Sequence, residues 1–119
     1  MNIMIAGGAG FVGSHLSRLL VQQGHHVVCV DDLSTGSLDN VVDLLGDPLY
    51  EFIKADVAHT PSIHVDVIAH LASPASPVDY DRMPVHTMRA NALGMFRLLD
   101  VARNVNARLL FVSTSEVYG

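Results

Sequence analysis

Tryptophan is absent, cysteine occurs once, and aromatic residues make up only 6% of the 119 residues. A single thiol, Cys29, excludes a disulfide within the chain. Its apolar neighbours mark it as a core filler rather than a nucleophile. Basic residues are scarce: seven Lys and Arg stand against twelve Asp and Glu, a formal net charge of −5. They form no patch, which argues against a nucleic-acid partner. No apolar run approaches the roughly 18 residues of a membrane span. The N-terminus carries no basic region, and Gly7-Gly8 interrupt its apolar run, so no signal peptide is expected. The expectation is a cytoplasmic protein with no membrane partner. No Gly-x-x-x-x-Gly-Lys-Ser/Thr run exists, which excludes a P-loop nucleotidase. The histidines (His15, His25, His26, His59, His64, His70 and His86) include no i, i+4 pair with a partnering acid, so no metal site is expected.

What is present is apolar. Half of the residues are hydrophobic and 16% are charged. That balance suits a buried parallel sheet, whose strands read as continuous apolar runs. The pattern predicts strands over 2–6, 26–30, 50–54, 65–70 and 108–112. Between them it predicts helices over 11–23, 37–45 and 85–104, with a proline-rich loop over 73–84. In the first helix Phe11, Val12, Leu16, Leu19 and Leu20 read as the inward face. In the longest, Met88, Leu93, Phe96 and Leu99 are among the apolar positions. Alternating strands and helices imply right-handed crossovers and one doubly wound domain. The expected order is 3-2-1-4-5, an α/β fold of Rossmann type. Such a fold usually has at least one more strand, so a chain truncated before its substrate domain is expected.

The strongest signal is Gly7-Gly8-Ala9-Gly10-Phe11-Val12-Gly13, which joins the first strand directly to the first helix. Gly7 suits a tight turn, Gly10 a close approach of backbone to pyrophosphate, and Gly13 close packing of helix on sheet. The helix then offers free N–H groups and its positive dipole end to phosphate. The plainer reading is a glycine turn with no ligand; the strand before and helix after favour the dinucleotide.

Asp31 and Asp32 close the second strand, Asp31 lying 18 residues beyond Gly13. An acid near that spacing accepts from the adenosine ribose hydroxyls and repels a 2′-phosphate. No Lys or Arg lies between Arg18 and Lys54 to neutralise such a phosphate, so NAD is expected over NADP. Asp56 follows the third strand, where a carboxylate could accept from the adenine amine; a simple loop aspartate fits the spacing equally well.

Several runs together resemble the extended short-chain dehydrogenase/reductase family. They are the glycine motif, Val30-Asp31-Asp32-Leu33-Ser34-Thr35-Gly36, Asp56-Val57, His70-Leu71-Ala72-Ser73 and Ser113-Thr114-Ser115-Glu116-Val117-Tyr118-Gly119. Continuing through Pro74-Ala75-Ser76-Pro77, the fourth run is similar to the branch that decarboxylates UDP-glucuronate. The resemblance implies that Gly10, Phe11 and Val12 lie on the pyrophosphate. It places Asp31 on the ribose, surrounded by Asp32, Ser34, Thr35 and Gly36. Asp56 and Val57 would flank the adenine, and Leu71 and Ser73 would line the cleft. Thr114 would bond the sugar hydroxyl being oxidised, and Glu116, with Ser115, would act at the sugar carboxylate. The implied substrate is a nucleotide sugar of the UDP-glucuronate class. Oxidation at C4 would give a β-keto acid, which loses carbon dioxide readily and is then reduced.

Where relatives carry Asp-Glu for dehydration, this chain has Ser115-Glu116. The family's base is a tyrosine four residues before a lysine, on a helix after the fifth strand, and no such helix is expected here. Tyr50 and Lys54 have that spacing but fall in a strand, roughly 13 Å apart. The expectation is therefore a cofactor-holding portion that is inactive alone. Arg97 stands where relatives carry an asparagine near the sugar nucleotide, which leaves the exact sugar open. The long helix would pair two copies in this family, though its apolar positions are equally explained by packing on the sheet. The other readings are a related epimerase or dehydratase, and a non-catalytic NAD- or partner-binding module.

Overall fold

A computed structural model describes residues 1–119. Five parallel strands, β1 Asn2–Ala6, β2 His26–Asp31, β3 Tyr50–Lys54, β4 Val67–His70 and β5 Arg108–Phe111, form one sheet in the order β3-β2-β1-β4-β5. The expected order and parallel sense are therefore observed. Ile3 pairs with Val27 on one side and Val67 on the other, so β1 is the central strand. All five C-terminal ends meet at one edge, where ligands bind in open parallel sheets.

Alternate strand residues feed two core layers. Ile3, Ile5, Val27, Cys29, Tyr50 and Ala69 face α1, Phe11–Gln22. Met4, Ala6, Val30 and Ile68 face α3, Pro84–Val105, which contributes Ala90, Leu98, Val101 and Ala102. Leu98 is fully buried in the second layer. Leu98→Ala is expected to cost about 2–5 kcal/mol in urea unfolding, through lost burial and a residual cavity.

The inward helix faces differ from the sequence expectation. In α1 the buried residues are Gly13, Ser14, Ser17 and Val21, with Leu16 and Leu20 packed at the margin. Phe11 is 79% exposed, and Val12 and Leu19 also face outward. In α3 Met88, Leu93, Phe96 and Leu99 are exposed. Small residues are prominent on both buried faces, beside Val21 in α1 and Leu98 and Val101 in α3. A Cβ on Gly94 would come within 2.6 Å of Val57 Cγ1, in the turn that follows β3.

Two further segments differ. The helix expected over 37–45 is one 3-10 turn, Leu38–Val41, capped by Ser37 Oγ, which accepts from Asp39 N. Residues 42–46 continue as turns, and Gly46 (φ +93°) closes the segment ahead of Pro48. The proline-rich loop contains a short helix, α2 Pro77–Arg82. Proline is favoured at the first helical position, and both Pro77 and Pro84 open helices here. No helix is long and apolar enough to cross a membrane.

Candidate functional site

The glycine loop is fixed by its neighbours before any ligand is considered. Ala9 N donates to Asp31 Oδ2 at 2.9 Å, while Ala9 O accepts from Ser37 N at 3.1 Å and Asn40 Nδ2 at 2.8 Å. Gly7 has φ +85°, and a Cβ there would stand 2.7 Å from Ala72 N. A Cβ on Gly13 would overlap the Gly7 carbonyl oxygen. These two glycines are required by the protein itself. Gly10 is different: its φ of −76° suits any residue, and a Cβ would meet only Gly7 O, at 3.4 Å. Its missing side chain keeps open a cleft rather than a packing contact.

Above that opening stands the N-terminus of α1. No side chain caps it, and its first turn holds no acid. Ser14 N donates to Gly10 O at 2.9 Å, whereas the amides of Phe11, Val12 and Gly13 find no turn or cap partner. Three free N–H groups at a positive dipole end are suited to an anion.

A cleft runs from this point along the sheet edge. Gly7, Gly10, Asp31, Asp32, Ser34, Thr35 and Gly36 line one side. Asp56, Val57, Leu71, Ser73 and His86 complete it. Eleven of the residues singled out from sequence thus share one groove: Gly7, Gly10, Asp31, Asp32, Ser34, Thr35, Gly36, Asp56, Val57, Leu71 and Ser73. Phe11 and Gly13 are not on its wall.

The carboxylates in it are already engaged. Asp31 is buried and accepts from Ala9 N and Leu33 N, at 2.9 and 2.8 Å. Burial pushes its carboxyl above the usual range despite the two amides, with Asp32 adding to the rise. Asp32 accepts from Ser34 N and Oγ at 2.9 and 2.7 Å. Asp56 accepts from Ala58 N at 2.8 Å and from Arg89 Nε at 2.9 Å. Burial alone would raise the Asp56 carboxyl; the Ala58 amide and the Arg89 guanidinium outweigh it and hold the group low.

A second cavity of about 640 Å³ adjoins the first and shares the wall Leu71-Ala72-Ser73-Pro74. Thr114 and Glu116 line it, along with Val12, His70, Tyr80 and Asn91. Ser115 is not on its wall. Thr114 Oγ1 accepts from Glu116 N at 3.2 Å, which caps the last 3-10 turn and leaves the hydroxyl proton free to be donated. Asn91 Nδ2 donates to Ser73 Oγ at 2.8 Å, tying α3 to the shared wall.

The sequence reading did not single out His86, Arg89 or Asn91. Each reaches the site from α3 through tertiary packing, and no local spacing marks them. Arg97 does the reverse. Its Nε donates to Thr60 O at 2.7 Å, and it lines neither cavity. Its presence has a packing explanation rather than a substrate one. Tyr50 is buried under the sheet and its hydroxyl is pushed well above the usual phenol range by that burial, whereas Lys54 is exposed. They form no base pair. Burial likewise pushes the Cys29 thiol up to about 12, which makes it unreactive. No three His, Cys, Asp or Glu side chains gather to hold a metal ion.

His70 is buried in the wall of the second cavity, and neither ring nitrogen has a protein partner. Burial holds the ring's pKa below its ordinary 6.5. The folded chain therefore refuses a proton that the unfolded chain accepts below that value. Stability is expected to fall as pH drops through 6.5. His70→Leu is expected to reduce the dependence and to raise stability by about 1 kcal/mol. Urea titrations over that range check both.

Against known proteins, the profile of the NAD dependent epimerase/dehydratase family matches residues 3–119. UDP-glucuronic acid decarboxylase 1 of Danio rerio is 50% identical over 117 residues, covering 98% of this chain and 28% of that protein. UDP-glucuronic acid decarboxylase 1 of Arabidopsis thaliana is 46% identical over 119 residues, covering 100% of this chain and 27% of the relative. Among solved structures, dTDP-glucose 4,6-dehydratase from Streptomyces venezuelae with NAD and TYD bound superposes with a TM-score of 0.89 at 29% identity. That match covers 100% of this chain and 41% of the other. UDP-glucose-4-epimerase from Stenotrophomonas maltophila, with bound NAD and formylated UDP-arabinopyranose, gives 0.84 at 30%, covering 100% and 38%. The chain spans roughly a third or less of the curated relatives it matches, 27–35% of their length.

Proposed function

Because the chain belongs to the NAD dependent epimerase/dehydratase family, we propose that residues 1–119 are the NAD-holding part of a nucleotide-sugar decarboxylase. Its substrate is UDP-glucuronate and its product UDP-xylose. The observation that carries this reading is the shared wall Leu71–Pro74: the cleft of the glycine loop adjoins a roomier cavity bearing Thr114 and Glu116. The decarboxylases at 45–50% identity support the choice of substrate.

The residues fit the cofactor. Open space at Gly10 and the free amides of Phe11 and Val12 receive the pyrophosphate. Asp31 retains lone pairs for a ribose hydroxyl, with Asp32 beside it. When bound, NAD supplies reversible hydride transfer at the sugar. Thr114 donates its free proton to the sugar hydroxyl oxygen and so orients it. Glu116, at the sugar carboxylate end, is placed to carry the proton that the sugar carbon takes up once carbon dioxide has left. NAD is favoured over NADP because the ribose end of the cleft is acidic.

Neither cavity contains a Tyr-x-x-x-Lys base, so residues 1–119 alone are expected not to turn over UDP-glucuronate. The exposed stripe Val85, Met88, Phe96 and Leu99 on α3 is proposed to pair two copies. Product analysis tests the central reading in a longer protein that carries these residues together with such a base. UDP-xylose and carbon dioxide from UDP-glucuronate with NAD support it. A 4-epimer with all its carbons kept, or a dehydrated sugar, overturns the decarboxylase assignment in favour of the epimerase or dehydratase reading that the solved neighbours suggest.

A further inference from the structure

We infer that His86 is a specificity-determining residue of the cofactor cleft. Paired with Asp32, it grades the discrimination between a dinucleotide with a free adenosine 2′-hydroxyl and one bearing a 2′-phosphate. The inference rests on the dinucleotide reading above and adds a residue to it.

Around the end of β2 the sequence holds no Lys or Arg from residue 19 to 53, so the region reads as purely acidic. The fold changes that. His86, in the first turn of α3, crosses to the β2 side and lines the same cleft as Asp32 and Ser34. Its Nε2 lies 3.2 Å from Asp32 Oδ2 and 3.1 Å from Ser34 Oγ. The other Asp32 oxygen is taken by Ser34. The imidazole is therefore the one basic side chain on the cleft wall.

The remaining titratable groups lining the cleft are Asp31, Asp32 and Asp56. Asp56 is committed to Arg89, one turn further along α3, which also lies against His59. Arg82, at the end of α2, precedes His86 by four residues in sequence. His86 is the one basic group beside Asp31 and Asp32, whose charge otherwise repels a 2′-phosphate. A permanent cation at residue 86 compensates Asp32 and lowers that penalty, whereas a neutral amide leaves it in full.

The test is calorimetric titration of the protein with NAD and with NADP. Wild type, His86→Gln and His86→Lys are compared through the ratio of the two Kd values. The preference for NAD is expected to be about tenfold weaker in the Lys variant than in the Gln variant. Equal preferences in the two variants overturn the inference. No binding of either dinucleotide by any form removes the dinucleotide reading itself, an outcome distinct from equal preferences.

Discussion

Gly10→Ala will leave the folded chain as stable as wild type but weaken NAD binding by at least about tenfold, the scale of one lost charge-assisted hydrogen bond. Gly13→Ala, three residues on, will instead destabilise the fold by about 3 kcal/mol or more. Both substitutions add one methyl group, and the contrast lies in what that group meets. At Gly13 it overlaps the Gly7 carbonyl oxygen and lies 2.7 Å from Gly8 Cα, and neither is free to move. Asp31, Ser37 and Asn40 hold the intervening Ala9 from both ends of its peptide groups. At Gly10 the backbone is already extended, and the methyl group projects where Gly7 O, 3.4 Å away, is its one protein neighbour. Only a ligand approaching the free amides of α1 would feel it. Urea unfolding and NAD titration of the two variants separate the cases. Equal NAD affinity in Gly10→Ala and wild type would mean that the opening serves no phosphate.

Glu116→Gln will lower turnover of UDP-glucuronate by about 10²–10³ in a longer protein that carries these residues and a Tyr-x-x-x-Lys base. NAD affinity will not change, because Glu116 lines the second cavity and not the cleft. The amide keeps the size and the backbone contact to Thr114 but cannot deliver a proton to the sugar carbon. A variant with normal turnover would reduce Glu116 to a capped, exposed turn residue. Single-turnover measurements at saturating NAD give the comparison directly.

The part of the cleft at the ends of β1 and β2 was legible in the sequence because it is local. Gly7 to Gly13 is one continuous turn, and Asp31-Asp32 ends the strand that pairs with β1. Alternation and crossover handedness pointed to a parallel sheet, and the order 3-2-1-4-5 is the one usual for a dinucleotide fold. What escaped was set by packing. Phe11 read as inward, and Met88 and Phe96 as apolar positions of the longest helix, yet the buried faces include Gly13, Ser14 and Ser17 in α1 and Ala90 and Gly94 in α3. Close approach selects small side chains, which a hydrophobic count undervalues. The segment after Gly36 read as a helix and forms only one 3-10 turn, Leu38–Val41. It is spent instead on anchoring: Asn40 holds Ala9, and Asp43 pairs with Arg18 at 2.6 Å. His86 and Arg89 come to the acids at the ends of β2 and β3 from a helix far along the chain, so no sequence window contains both partners.

The most direct test of the account is calorimetric titration of the folded protein with NAD. Saturable binding of one NAD per chain, weakened in Gly10→Ala and in Asp31→Ala, is the expected result. A flat titration from protein shown to be folded would contradict it, because the free amides, the open space at Gly10 and the acid pair would then have no common ligand.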